Sequence, residues 1–205
     1  MATRKRSKKA VPKRNPKAKK KTANKKVVKK AVHRKAPRTA PRKARKVAPV
    51  PKGFHTLAPS LCFQDSAFAM QFYEKAFGAK EMFRLTEPAG RVGHAEMKIG
   101  DSHIMLSDEY PEMAVLSAKT LNGSPVRLNL TVKNADALFA RAVAAGATVV
   151  RPVQDEFYGY RSGVVLDPFG YTWNIMSQIA VVSPKEMQKR WTKMLAAHKP
   201  EGSAG

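Results

Sequence analysis

The stretch QDSAFAMQFYEKAFGA, residues 64–79, decides the fold because KNADALFARAVAAGA, residues 133–147, repeats its pattern. Each stretch opens with a residue that caps helix N-termini, Asp65 or Asn134, and continues with apolar side chains at helical spacing. Each ends in Gly-Ala, and glycine is the usual residue just beyond a helix C-terminus. The sequence therefore predicts two equivalent helices roughly 70 residues apart, which indicates an internal repeat.

Strand-like runs accompany both helices in the same order. One run precedes each helix and three runs follow it. Around the first helix the runs are LCF (61–63), EMFRL (81–85), VGHAEMKI (92–99) and HIMLS (103–107). Around the second helix they are VRLNLTV (126–132), TVVRPV (148–153), SGVVL (162–166) and YTWNIM (171–176). We therefore predict an α+β fold of two βαβββ modules, residues 54–107 and 126–178, with a connector over 108–125.

A third helix is predicted after the second module, in SPKEMQKRWTKMLAAHK. Ser183 stands at the N-cap and Glu186 completes a capping box. The apolar stripe of this helix is expected to pack on the domain or on a second subunit. The predicted organisation is a tail over 1–52, one domain over 53–182, an amphipathic helix over 183–198 and a disordered end over 199–205.

The first 52 residues have a composition unlike the rest of the chain. They contain 23 of the 39 Lys and Arg and none of the 15 Asp and Glu, so they carry +23 of the net charge of +24. No aromatic residue precedes Phe54, so this segment cannot bury enough surface to offset its chain entropy. We therefore predict a disordered tail, which its prolines and mutually repelling charges keep extended.

The tail is compositionally similar to the Lys/Ala/Pro-rich tails of linker histones and bacterial histone-like proteins. Such a chain neutralises phosphates and releases counterions, and it has no aromatic side chains for stacking on bases. We predict non-specific binding to DNA or another polyanion; a nuclear or nucleolar address, a ribosome tether and a solubilising tail are the alternatives. The candidate nucleic-acid-binding residues are Arg4, Lys5, Arg6, Lys8, Lys9, Lys19, Lys20, Lys21, Lys25, Lys26, Lys29, Lys30, Arg42, Lys43, Arg45 and Lys46.

Targeting signals point to the cell interior. The basic start is not followed by the apolar core of a secretory signal, and no apolar run is long enough for a membrane helix. A mitochondrial transit peptide is harder to exclude, although no amphipathic stripe is visible in the tail. The single cysteine, Cys62, suits a reducing compartment. We expect a cytoplasmic protein without a membrane partner, nucleoid-associated in a bacterium or nuclear in a eukaryote.

Four motifs span the folded part: FYEKAFGAKEMFR, GRVGHAEMKIGDSHIMLSDE, RAVAAGATVVRPV and DPFGYTW. Together they make residues 54–190 resemble the glyoxalase/bleomycin-resistance superfamily, also called the vicinal oxygen chelate fold, and within it the PhnB-like branch. The resemblance implies that the two modules form a U-shaped mixed sheet enclosing a pocket. It also implies a homodimer.

The metal enzymes of this superfamily take four ligands from the first and last strands of each module. The resemblance places these positions on Ala58, Met105, Arg127 and Asn174. None of these side chains is a usual metal ligand, and Arg127 would put a fixed cation where the metal should sit. We therefore expect no metal site, no cofactor and no metal-dependent activity of the glyoxalase type.

A second polar cluster lies in GHAEMKIGDSHIML, residues 93–106. His94 and Glu96 are two residues apart on one strand and share a face, whereas His103 follows a turn that need not return it to that face. Three interpretations stay open: a polar pocket wall in which Glu96 pairs with His94 or Arg127, an unconventional metal or catalytic site, and a structural role. His94 and Glu96 are the catalytic candidates, with Glu96 as a general base.

Another candidate wall is QDEFYGYRSG, residues 154–163. The PhnB-like branch usually reads Trp-Gly-Asp-Arg here, so Arg161 is kept but the acidic residue is lost, and Tyr171 replaces the usual His after DPFG. We predict an aromatic, arginine-lined pocket for a planar or anionic small molecule, with core packing of these aromatics as the alternative. The predicted pocket residues are His94, Glu96, Arg127, Tyr158, Tyr160, Arg161 and Trp173.

Three functions follow from these features. The first is a metal-free domain that binds a small ligand and is delivered to DNA by its tail. The second is a superfamily enzyme, of lyase, dioxygenase or transferase type, with an unconventional site at His94 and Glu96. The third is a chromosome-associated protein whose domain dimerises so that two tails bridge DNA. Fold analogy alone does not choose among them.

Overall fold

The computed structural model of the chain describes residues 47–197. Two helices and eight strands occur there in the predicted order, followed by a third helix. The first module contains β1 (Ser60–Phe63), α1 (Ser66–Phe77), β2 (Lys80–Thr86), β3 (Val92–Ile99) and β4 (Ser102–Asp108). After a 3-10 turn (Pro111–Met113) come β5 (Arg127–Thr131), α2 (Ala135–Ala144), β6 (Thr148–Asp155), β7 (Tyr160–Leu166), β8 (Thr172–Gln178) and α3 (Pro184–Ala197). The predicted α+β fold of two βαβββ modules is confirmed.

The two modules have the same sheet topology. The strand order is β1-β4-β3-β2 in the first and β5-β8-β7-β6 in the second, and each sheet is mixed because its first strand runs parallel to its last. Within the described residues the eight strands form two four-stranded sheets, and no strand pairing joins them. One chain therefore supplies two mixed four-stranded sheets, one from each module.

The residues predicted to cap α1 and α2 form the expected capping hydrogen bonds. The Asp65 carboxylate accepts a hydrogen bond from the Phe68 amide at 2.8 Å, and the Asn134 side-chain oxygen accepts one from the Ala137 amide at 2.9 Å. Gly78 ends α1 with φ of 67°, a conformation that costs glycine little. These local signals explain why the two helices start and stop at equivalent places in the modules.

One hydrophobic core serves both modules. Alternate residues of β3 and β8 are buried, and together with Ile104 and Leu106 of β4 they form one cluster with α1, α2 and the turn after β7. Phe77 of α1 lies 4.6 Å from the ring of Trp173 on β8. Both helices therefore lie on the core side of the sheets, and each sheet keeps a second face that does not take part in the core.

Hydrogen bonds across the module boundary reinforce this core. The buried Asp167 carboxylate accepts bonds from the Tyr73 hydroxyl at 2.7 Å and the Trp173 indole at 2.9 Å. The Tyr171 hydroxyl donates to the Cys62 carbonyl at 2.9 Å, and Arg141 of α2 donates to the carbonyl at the end of α1. Burial raises the pKa of Asp167, although these donors oppose the increase.

Helix α3 begins as predicted, because the Ser183 hydroxyl accepts a hydrogen bond from the Glu186 amide at 3.3 Å. The segment before it crosses Gly159 closely: the Ala180 amide donates to the Gly159 carbonyl, and a β-carbon on Gly159 would lie 2.5 Å from the Ala180 carbonyl oxygen.

No helix between residues 47 and 197 is long and apolar enough to cross a membrane. The predicted nucleic-acid residues, Arg4 to Lys46, and most of the two predicted disordered segments lie outside the described residues.

Candidate functional site

Each sheet presents its second face away from the shared core, and we call these surfaces open face 1 and open face 2. Strand pairing defines their members, because residues paired across neighbouring strands share a face. Glu96 pairs with Met105 and Lys98 with His103, and Ser162 pairs with Met176 and Val164 with Asn174. Open face 1 contains Cys62, His94, Glu96, Lys98, His103 and Met105; open face 2 contains Arg127, Asn129, Arg151, Ser162, Val164, Asn174 and Met176.

Glu96 lies at the centre of open face 1 between two imidazoles. Its carboxylate oxygens are 3.7 Å from Nε2 of His94 and 3.9 Å from Nδ1 of His103, which exceeds hydrogen-bond length. The side chain of Glu96 is 14% exposed, and no donor within the described residues reaches its oxygens. Since no protein donor satisfies this half-buried carboxylate, it is free to accept a hydrogen bond from a ligand.

His103 does return to the face of Glu96, which answers the question that the sequence left open. The tight turn at Gly100 closes a hairpin with Lys98 opposite His103, which restores the alternation. The imidazole is 6% exposed, its Nδ1 has no hydrogen-bond partner, and the Phe54 ring stacks on it at 4.2 Å. Phe54, just beyond the predicted tail, therefore covers part of open face 1.

Open face 2 contrasts with this arrangement, because its carboxylate, Glu156, is paired, although the buried Oδ1 of Asn174 on the same face has no hydrogen-bond partner. Arg151 of β6 contacts the Glu156 carboxylate and donates to the Ser162 hydroxyl at 2.8 Å. That hydroxyl in turn donates to Glu156 at 3.1 Å, and the Tyr158 hydroxyl lies 3.5 Å from it. Tyr158, which was predicted to line the pocket, therefore contacts this hydrogen-bond network. Its ring centroid lies 5.8 Å from that of Tyr160.

Two predicted pocket residues are placed elsewhere. Trp173 is 2% exposed and lies in the shared core, because β8 turns it toward α1 rather than toward the open face. Arg161 lies on the helix side of β7, where its guanidinium donates to Asp136 at 2.7 Å and Asp155 at 2.8 Å. These hydrogen bonds lower the pKa of Asp136 and raise that of Arg161. Neither side chain is available to line an anion pocket.

The predicted pairing of Glu96 with Arg127 is not found. Arg127 lies at the start of β5 in the other sheet and is exposed, and the basic groups within 4 Å of Glu96 are His94 and His103. Sequence reasoning also missed Phe54, Arg151 and Glu156. The only indication for Phe54 in the sequence was that it is an isolated aromatic residue beside the tail. There was no indication for Arg151 and Glu156, because a bulge interrupts β6.

A groove of about 720 Å³ lies away from both open faces, near the start of α1 and the end of β4. Its carboxylates already hold the backbone: Asp108 accepts hydrogen bonds from the Ser66 and Val92 amides, and Glu109 accepts one from the Ser117 amide. The Ser117 bonds lower the pKa of Glu109. These acidic groups therefore stabilise loops, and we place the candidate site on open face 1.

The family model of the Glyoxalase/Bleomycin resistance protein/Dioxygenase superfamily matches residues 53–175. The chain belongs to this superfamily. The match covers both modules, so the predicted family is confirmed together with the fold.

Similar proteins span the same region. An uncharacterised protein of Mycobacterium tuberculosis is 42% identical over 135 residues, which cover 64% of this chain and 79% of the relative. The PhnB protein from Bacillus cereus has 18% identity over 62% of this chain and 100% of its own, with a TM-score of 0.48. TnmS3, described as an antibiotic binding protein from Streptomyces sp. CB03234, has 22% identity over 60% of this chain and 95% of its own, with a TM-score of 0.47.

The four positions that the resemblance assigned to metal ligands lie at equivalent places in the two modules. Met105 pairs with Ser60, two residues after Ala58, and Asn174 pairs with Asn129, two residues after Arg127. The Asn174 amide donates to the Asn129 side chain at 2.9 Å. Between residues 47 and 197 no group of three or more His, Cys, Asp or Glu side chains is arranged to hold a metal ion. The side chains at the four superfamily positions, an alanine, a methionine, an arginine and an amide, do not fit a metal.

Proposed function

We propose that this superfamily member binds a small molecule on open face 1 without a metal and that it belongs to the PhnB-like branch. The observation that supports this most is the Glu96 carboxylate, largely buried between His94 and His103 without a hydrogen-bond donor. A ligand with an N–H or O–H group would satisfy that carboxylate, and the buried Nδ1 of His103 offers a second contact. The ligand is therefore expected to be a polar donor rather than an anion.

The aromatic surroundings define the shape of this ligand. Phe54 stacks on His103, and the Phe83 ring lies 5.7 Å from the ring of His94. Flat rings on two sides favour a planar molecule whose polar edge points at Glu96. This keeps the predicted planar ligand but reverses its charge preference, since the arginine expected to bind an anion is paired with Asp136 and Asp155.

The experiment is a thermal-shift screen of the full chain against planar compounds with and without amine or amide donors. Stabilisation should follow RT ln(1 + [L]/Kd), and binding of a hit should weaken at least roughly tenfold in Glu96→Gln. Arg161→Gln is the matched control, because it removes a charge from the helix side of the second module. Equal losses in both variants, or hits limited to anions, would contradict the proposal.

We further propose that two chains associate so that open face 1 of one chain faces open face 2 of its partner. Each open face forms only one side of a pocket. The β2 residues Met82, Phe83 and Leu85 are exposed apolar side chains beside open face 1. Light scattering of the full chain should give a dimer. A monomer at micromolar concentration would reject this arrangement.

For residues 1–52 we propose non-specific binding to nucleic acid, which the charge of +23 over this segment supports. The full chain should shift duplex DNA of unrelated sequences equally, with affinity falling steeply as salt rises. The control is the same chain with the tail lysines acetylated, which removes their charge. Sequence-dependent binding, or no binding at low salt, would contradict it.

Catalysis at His94 and Glu96 remains the second candidate function. The observation that favours it is that the two side chains lie 3.7 Å apart on a half-buried face, where the Glu96 carboxylate is free to act as a general base toward a bound substrate. Turnover of a hit from the ligand screen, abolished by Glu96→Gln and retained in Arg161→Gln, would select the enzyme over the binding protein.

A further inference from the structure

Helix α3 has a charge opposite to that of the domain that carries it. Residues 53–182 contain 11 Lys and Arg against 13 Asp and Glu, a net charge of −2. Within α3 there are four basic residues and one acidic residue, Glu186, a net charge of +3. The positive charge of the folded part is therefore concentrated on this one helix.

Three of these charges form a straight row, which we call the lysine row: Lys185, Lys189 and Lys193. They are four residues apart, so they lie on one face of the helix about 6 Å from one another along its axis. All three are exposed. The row therefore presents three ammonium groups along about 12 Å of a rigid element.

The lysine row faces away from the domain. Contacts with the domain come from the flank and the opposite side of α3: Arg190, on the flank, donates to the Phe157 carbonyl at 3.1 Å, and the Trp191 ring, on the opposite side, lies 5.4 Å from the Phe157 ring. With 100° between successive residues, the row points roughly opposite to Met187 and Trp191. A partner can therefore reach all three ammonium groups without moving α3.

The helix compensates the row only through the electrostatic attraction between Glu186 and Lys189. The one carboxylate on α3, Glu186, accepts a hydrogen bond from Arg190 at 2.9 Å. No acidic oxygen of the described residues lies within 4 Å of the three lysines, and like charges four residues apart destabilise a helix. An external polyanion would remove this repulsion.

We propose that the lysine row is a folded contact surface for nucleic-acid phosphates, additional to the tail. A lipid surface fits less well, because membrane insertion needs the apolar stripe of α3, and Trp191 of that stripe packs against Phe157 with its ring tilted and keeps 41% exposure. The inference deepens the proposed nucleic-acid binding and rests on it for affinity, since three contacts alone bind weakly.

The test compares the full chain with Lys185→Gln/Lys189→Gln/Lys193→Gln by fluorescence anisotropy on labelled duplex DNA over a series of KCl concentrations. Each phosphate contact contributes about 0.9 to the salt slope, so the variant should lose about 2.7 from the slope, and the ratio of wild-type to variant affinity should grow about 40-fold from roughly 200 mM to roughly 50 mM KCl. Lys75→Gln/Lys119→Gln/Lys133→Gln is the matched control, because it removes three exposed lysines from elsewhere in the domain. Its slope should change by less than about 1.

Circular dichroism checks that α3 stays helical, which glutamine permits. If both variants lost the same amount of salt slope, the loss would reflect the total charge of the protein and not the position of the lysine row, and the inference would be overturned. An unchanged slope in the α3 variant, with loss of binding to phosphatidylserine vesicles, would overturn it in favour of a membrane surface. Failure of the wild-type chain to bind DNA at all would instead reject the proposed function of the tail.

Discussion

Open face 1 and open face 2 are built by the same βαβββ module, yet they treat a half-buried carboxylate in opposite ways. On open face 2, Glu156 contacts Arg151 and accepts a hydrogen bond from Ser162. On open face 1, Glu96 lies between two imidazoles, both beyond hydrogen-bond length. The fold determines where each carboxylate lies, and its neighbours determine whether it stabilises the protein or stays available.

This difference separates structural from functional polar groups. A satisfied network adds stability and leaves little for a ligand to gain, whereas an unsatisfied carboxylate costs stability until a ligand arrives. Arg161, which was predicted to bind an anion, is on the satisfied side of this comparison, and so is Arg151. The following variants test it, beginning with the shared core on which both faces depend.

Trp173→Ala should have the largest effect, because the buried indole packs against Tyr73 and Phe77 of the other module and donates to Asp167. A loss of about 3–5 kcal/mol in the free energy of unfolding is expected from urea denaturation. Trp191→Ala, on the partly exposed helix α3, should cost much less. Equal losses would mean that Trp173 does not belong to a core shared by both modules.

Arg151→Met should make open face 2 resemble open face 1. It leaves Glu156 with the Ser162 hydroxyl as its remaining side-chain donor, so we expect a loss of about 2 kcal/mol in the free energy of unfolding. Arg161→Met, which removes exposed ion pairs on the helix side, should lose clearly less. The comparison of the faces would be broken if the two variants unfolded at the same urea concentration.

Asp167 is a buried carboxylate that accepts hydrogen bonds from four donors, and the pH dependence of its effect on stability tests the comparison further. Because burial raises its pKa in the folded state, the folded protein binds the proton more tightly than the unfolded chain. The wild type should therefore lose stability relative to Asp167→Asn as the pH rises from the unfolded pKa of about 4 through the raised folded pKa. Above the folded pKa the difference should level off. A difference that grows with pH over this window would show that the donors outweigh burial.

Glu96→Gln should have the smallest effect. The carboxylate has no donor to lose, so the free energy of unfolding should change by less than about 0.5 kcal/mol or increase. The matched change Glu156→Gln should lose about 1–3 kcal/mol, because it weakens the contact with Arg151. Thermal unfolding of both variants in the absence of ligands checks this, and a large loss in Glu96→Gln would assign that residue to structure.

The fold was largely predictable because its signals are local. Asp65, Asn134 and Ser183 cap their helices through side chains that act within three residues, and alternation along β3 and β8 assigned a core side to each strand. The candidate site was predicted less well. Trp173 and Tyr158 are both aromatic residues near the end of the second module, and nothing in their types tells that one is core and the other lies in a polar network.

The sequence by itself determined the two modules, the basic segment before them and the pairing of His94 with Glu96 on one face, because these depend on composition and on spacings of a few residues. Only the tertiary structure decided that His103 joins Glu96, that Phe54 covers it and that Arg161 is paired with Asp136 and Asp155. Those outcomes depend on hairpin register and on contacts between distant residues. Register fixes which face a side chain takes, and a shift of one residue would reverse it.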